Sequence, residues 1–161
     1  MGNRRINPGQ AYEPKEIDAL DLRIVTELQL DARVSFAELG RRVSLSAPAV
    51  AERVRRLEEA GVITGYHAEV DPRALGFPVT VMVRIRPEIR ELQRIAKIAK
   101  EVPQIVECYR MTGDDCFYFT MHLRSVDELE HILDLFTPYG QTTTSLIHTA
   151  SVPRRPLPLM G

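Results

Sequence analysis

The 161-residue sequence has too little of several things to build several classes of protein. It has only two cysteines, Cys108 and Cys116. Two is too few for a disulfide framework, and their spacing fits no zinc pattern. Free thiols in a reducing cytoplasm are the expected state. The formal net charge is only −1 at pH 7. A bulk electrostatic attraction to nucleic acid is therefore excluded, and any such attraction must be local. No apolar run approaches the ~20 residues of a membrane span, so no membrane partner is expected. No apolar stretch follows Met1. Residues 1–16 hold Arg4, Arg5, Pro8, Gly9 and Pro14, which suits a flexible leader and not a signal peptide. His67, His122, His131 and His148 are scattered and match no metal spacing. No Gly-rich phosphate loop and no nucleophile–base pair is legible. An enzyme, a resident metal and a cofactor are all unexpected on these grounds.

What is present is a change of rhythm partway along the chain. Ile17, Leu20, Ile24, Val25 and Leu28 recur at helical spacing, and this helix should end near residues 31–33. Ser35 followed by Glu38 has the form of a capping box. A short helix to Val43 should follow, with Phe36, Leu39 and Val43 inward. Ser46 is a good N-cap and Pro48 suits the first turn of a third helix. That helix carries Val50, Val54 and Leu57 inward and stops at Gly61. Residues 62–70 read as extended, β-rich chain ended by Asp71-Pro72.

Beyond residue 78 the period becomes two. Val79, Val81, Val83 and Ile85 alternate with Thr80, Met82, Arg84 and Arg86. A helical stripe follows at Leu92, Ile95, Ala96, Ala99 and Val102. Residues 104–111 and then Phe117–Leu123 read as strands about a turn. Leu129, Ile132, Leu133 and Phe136 form a second helical stripe, and residues 142–152 a last strand. The order β-α-β-β-α-β is that of a ferredoxin-like domain. The fold class is α+β, a winged helix-turn-helix joined to a βαββαβ domain. The expected divisions are a leader (1–16), a helix-turn-helix (17–64), a linker strand (65–77), the βαββαβ domain (78–153) and a tail (154–161).

A helix-turn-helix needs two short helices joined tightly, with the second free to enter a major groove. Residues 37–43 and 47–59 have that arrangement. Arg33, Arg41, Arg42, Arg53, Arg55 and Arg56 stand against Glu38 and Glu52, giving this stretch a net charge of +4. Arginine suits bidentate contacts to phosphate or guanine. The candidate DNA contacts are Arg33, Ser35, Ser46, Ala47, Ala49, Val50, Arg53 and Arg56. The same face also fits a solvated helix or a protein-interaction module.

Five motifs then occur in order: Ile17-Asp18-x-x-Asp21, Arg33-Val34-Ser35-x-x-Glu38-Leu39, Leu45-Ser46, Arg53-Val54-Arg55-Arg56-Leu57-Glu58-x-x-Gly61-Val62-Ile63 and Asp71-Pro72-x-x-Leu75-Gly76. Together they resemble the leucine-responsive regulatory protein/AsnC (Lrp/AsnC, feast-famine) family of prokaryotic transcription regulators, from about Ile17 to Pro158. The resemblance implies a second domain of the RAM type, which senses a ligand and pairs subunits. It implies homodimers, commonly assembled to octamers, that read roughly palindromic sites in double-stranded promoter DNA.

In that family a loop resembling Thr-Gly-x-x-Asp lines a site for a free amino acid between subunits. Here the loop is Met111-Thr112-Gly113-Asp114-Asp115-Cys116. It departs from the pattern: Cys116 holds the usual acid position, and the acid stands one place earlier at Asp115. By itself the segment reads as a hairpin turn. The candidate effector residues are Met111, Gly113, Asp114, Asp115, Cys116, Thr142, Thr144 and Ser145. A regulatory module acting on a protein partner, and an architectural DNA-binding protein without effector, are the alternatives.

Overall fold

A computed structural model describes residues 16–159. The expected leader, apart from Glu16, lies outside the described residues. The chain divides into two compact units, one running through Ala68 and taking back the segment from Arg154, the other Glu69–Pro153.

The first unit holds α1 (Ala19–Leu30), α2 (Phe36–Val43) and α3 (Ala47–Glu59). Each begins at a polar cap. Asp18 accepts the Asp21 N–H at 2.7 Å, and its own N–H donates to the Asp21 carboxylate at 3.3 Å, a complete capping box. Ser35 accepts the Glu38 N–H at 3.2 Å, but the Glu38 carboxylate turns to Arg41 and Arg42. Ser46 accepts the Ala49 N–H at 3.4 Å. The helices close on Ile24, Leu28, Leu39, Val43, Val50, Val54 and Leu57. Phe36, expected inward, is 44% exposed. It opens α2, whose first turn lies beyond the small core that Leu39 and Val43 reach.

After α3, the Val62 and Ile63 N–H groups both donate to the Leu57 carbonyl. The Tyr66 hydroxyl donates to Glu58 at 2.8 Å. Burial and the Glu58 carboxylate push the Tyr66 phenol up to about 12. The expected linker strand is a correction: among the described residues nothing between 65 and 77 forms a ladder. A strand needs a neighbour for its backbone groups, and here Pro72–Leu75 instead forms a 3-10 turn capped by Asp71. The tail is held at one point. The Gln29 side chain accepts the Leu157 N–H at 2.8 Å and donates to its carbonyl at 3.4 Å. A proline-rich segment that cannot join a sheet thus has one residue's backbone groups satisfied by a side-chain amide on α1.

The second unit holds β1 (Val79–Pro87), α4 (Leu92–Glu101), β2 (Ile105–Arg110), β3 (Phe117–Leu123), α5 (Val126–Asp134) and β4 (Gly140–Leu146). The sheet is antiparallel throughout, in the order β2-β3-β1-β4. Alternation sends Val81, Val83, Ile85, Phe117, Phe119, Met121 and Leu123 to one face. There they meet Ile95 and Ala99 from α4, and Ile132 and Phe136 from the α5 side. β4 ends at Leu146, short of the expected residue 152. One further bond, Ile147 N–H to the Thr80 carbonyl, reaches the start of β1, and the ladder has no more partner beyond it.

Candidate functional site

The turn between α2 and α3 decides whether α3 can be presented. Ser44 ends α2 in the left-handed region, at φ 61°. The Leu45 N–H then returns to the Gly40 carbonyl at 2.8 Å. The two segments approach so closely that a Cβ on Gly40 would collide with the Leu45 carbonyl oxygen. Gly40 was not singled out from the sequence, because a glycine inside a helical pattern carries no sign of what will lie against it.

The sequence-derived DNA candidates separate into three groups. Ser35 and Ser46 are exposed caps, and Ala47 and Ala49 are half-buried on the first turn of α3. Their small size leaves the start of that helix open. Arg33 is exposed, and among the described residues its side chain pairs with no acid. Val50 is a correction: it is fully buried between the helices and belongs to the core, as the inward stripe demands. Arg56 is exposed at the guanidinium end but donates to Asp21 at 3.0 Å.

Arg53 sits differently. One nitrogen, Nη1, donates to Asp18 at 2.6 Å and to Asp21 at 2.7 Å. Its side chain is 24% exposed and that of Asp21 only 1%. The two oxygens of Asp21 therefore receive Arg53, Arg56 and the Asp18 N–H. A buried carboxylate is tolerated only when paired and bonded in this manner. Stripping one partner from a buried pair costs about 3–5 kcal/mol. The Arg53 guanidinium holds the Asp18 carboxyl below its ordinary range, helped by the Asp21 N–H. Asp18 and Asp21 in turn raise Arg53.

The local charge excess shrinks in consequence. Arg41 and Arg42 pair with Glu38, and Arg42 also with Glu27. Arg55 is raised by Glu52 and Glu59, which clasp it along α3. The stretch of +4 is thus met by acids from α1 and from the end of α3.

In the second unit the β2–β3 loop is a closed hairpin. The Met111 N–H donates to the Cys116 carbonyl at 2.8 Å, Gly113 takes φ 103°, and the Cys116 thiol donates to the Gly113 carbonyl at 3.1 Å. Asp115 lies 3.4 Å from Arg84 and 3.5 Å from Arg86, and Asp114 lies 3.5 Å from Arg86. Arg84 and Arg86 were not among the sequence candidates. Their signal was the alternation of β1, which sends them to the face opposite Val83 and Ile85, beside the strand that begins at Phe117. The β4 candidates do not gather on one side. Thr142 and Thr144 stand in register with Ile85 and Val83 on the helix-covered face, and Ser145 stands beside Met82 on the open one. Thr143, in register with Arg84, shares the open face with the arginines. That face carries its own bonds, Thr80 with His122 at 2.9 Å, Tyr118 with the Met82 sulfur, and Thr120 with Glu107.

Residues 17–58 match the AsnC-type helix-turn-helix domain, and residues 79–157 match the Lrp/AsnC ligand binding domain. The HTH-type transcriptional regulator LrpC of Bacillus subtilis (strain 168) is 38% identical over 132 residues, covering 82% of this chain and 92% of that protein. The leucine-responsive regulatory protein of Haemophilus influenzae is 37% identical over 134 residues, covering 80% and 78%. The solved structure of B. subtilis LrpC superposes with a TM-score of 0.81, covering 86% of this chain and 99% of that one at 36% identity.

Proposed function

This chain belongs to the Lrp/AsnC family of DNA-binding transcriptional regulators, and on that premise we propose that it binds a pseudo-palindromic promoter site as a homodimer and answers to a free amino acid. The family is one of regulators and not of enzymes. The observation that carries the reading is the open start of α3. Its cap is exposed, its first turn is lined by Ala47 and Ala49, and the Gly40 turn holds it against α2. Backbone N–H groups at such a start suit phosphate, and small side chains let DNA approach. Arg33, Ser35, Ser46 and Arg56 supply the flanking contacts.

The open sheet face supports pairing of two copies. Met82 and Tyr118 are half-buried there, on a surface no helix covers. A two-fold pair through this face would present two α3 helices to two half-sites. Octamers built from such dimers follow from the family resemblance, as does a cytoplasmic setting. The effector reading draws on the match to the ligand binding domain and on the β2–β3 loop. Carboxylates at Asp114 and Asp115 suit an ammonium, and Arg84 and Arg86 suit a carboxylate. Met111, Gly113 and Cys116 shape the loop; on β4, Ser145 shares the open face with the arginines, while Thr142 and Thr144 stand on the other face.

Two measurements test this. Gel-shift titration against the DNA upstream of the protein's own gene should show binding that falls steeply as salt rises, because phosphate contacts release counterions. Absent or salt-insensitive binding would defeat the promoter reading and leave a module acting on a protein partner. Thermal-shift screening of the standard amino acids should show stabilisation by at least one, through mass action. DNA binding with no amino-acid response would leave an effector-independent architectural protein.

A further inference from the structure

We propose that Arg53 is a positioning residue: it braces α3 against the buried carboxylate of Asp21 and so sets the angle at which α3 meets DNA, without itself reading a base. The proposal rests on α3 being the helix that enters DNA. Arg53 is the arginine of this helix bound to two α1 acids at once, Asp18 at 2.6 Å and Asp21 at 2.7 Å. Those acids lie 35 and 32 residues away in sequence, so the contact ties one helix to another and does not merely decorate α3. Asp21 is 1% exposed. Turning Arg53 outward to a base would leave that carboxylate with Arg56 and the Asp18 N–H alone.

Arg56, one turn further along, is a natural contrast. It reaches Asp21 through one bond at 3.0 Å and keeps 58% of its side chain exposed. It can leave for a phosphate while Arg53 keeps Asp21 neutralised. The same carboxylate thus holds one arginine that fixes the helix and one that is released to the ligand.

Titrating a promoter fragment at several salt concentrations separates the roles, at a temperature where circular dichroism shows every variant folded. Arg53→Ala should weaken binding by roughly tenfold, as a misaligned α3 fits the groove less well. Its log affinity against log salt should run parallel to the parent, since no phosphate contact is lost. Arg56→Ala should flatten that slope by about one phosphate's worth. Asp21→Asn gives the sharpest reading, because it removes the acid that both arginines share and leaves Arg53 with Asp18 alone. A brace predicts weaker binding; a base-reading Arg53 predicts tighter binding, since a competing acid is gone. Arg53→Gln keeps a donor for Asp21 and should recover part of what Arg53→Ala loses, which keeps the comparison decisive if Asp21→Asn does not fold. Tighter binding by Asp21→Asn, a flattened slope for Arg53→Ala, or relaxed preference at a single base position in Arg53→Ala would each overturn the proposal. Loss of stability with unchanged affinity of the folded protein would overturn it as well.

Discussion

Phe119 and Asp21 are each nearly sealed from water, with 0% and 1% exposure, one inside the sheet unit's apolar core and the other in the first turn of α1. Around Phe119 everything is apolar: Phe117 and Phe136 rings lie 6.2 and 5.2 Å away, and Val83 stands beside it on β1. Around Asp21 are two guanidinium groups and a capping amide. Burial of apolar surface is non-directional, so it stabilises a sheet against helices without demanding one angle. Charged hydrogen bonds are short and directional, so they specify an angle while adding less net stability. The unit that must be presented to a rigid duplex has the directional brace, and the sheet unit has the larger oily core.

The contrast is broken most severely from the sheet side. Phe119→Ala should cost about 3–5 kcal/mol by cavity formation. Hydrogen exchange should then accelerate at β1 and β3 amides while α2 and α3 amides keep their protection. Equal acceleration in both units would mean that the two cores are not separate. In the helical unit the corresponding blow is Gly40→Ala. Its Cβ meets the Leu45 backbone and not a flexible side chain, so the strain should be about 1–3 kcal/mol. Promoter binding should fall with it even where the protein remains folded, because the turn that presents α3 has shifted. Gel-shift titration beside thermal unfolding reads both.

The sheet unit was the more legible of the two, for the same physical reason. Period-two and helical stripes report which side faces oil, and that fixed β1, β3, α4 and α5 within a residue or two at most ends. Strand 65–77 and the end of β4 misled because a β-rich composition carries no notice of whether a partner strand exists. In the helical unit the helices and caps were readable, but the partners of the arginines were not. Arg53 and its acids are separated by 32 and 35 residues, and no spacing rule spans that distance. A local count therefore gave a surplus of positive charge that α1 largely answers. Val50 shows a plainer lesson: its place on the Val54–Leu57 stripe outweighs its place near the start of the recognition helix.

Acid should sharpen the difference. The Asp18 carboxyl is held below its ordinary 3.8 by Arg53. Its contribution is therefore present in full above about 3.8 and is lost as pH falls through the lowered folded value. In the sheet unit the lowered acid is Glu128, held by the Arg124 N–H and the Gln104 amide at the start of α5. Stability followed from pH 7 downward should be flat to about pH 5 in both units. Below pH 4 the α3 amides should lose protection before those of β3, since protonation of Asp18 takes away one of the two acids that hold Arg53. Loss in the opposite order would show that the brace adds little to the helical unit.

The smallest expected effect lies at Ser44, which ends α2 at φ 61° and ψ 44° with its N–H on the Gly40 carbonyl. A residue with a Cβ is strained there, and glycine is the usual occupant of such a helix end. Ser44→Gly removes the strain but gives the unfolded chain more freedom, so the net gain should be only about 0.5 kcal/mol. The gain should appear in α2 and α3 amide protection and not in β1 or β3. Promoter affinity should stay unchanged, because glycine accepts the same left-handed backbone and leaves the angle of α3 to Arg53 and Asp21. A stabilised variant that binds DNA differently would mean that the backbone at Ser44 sets the angle of α3 together with the charged brace.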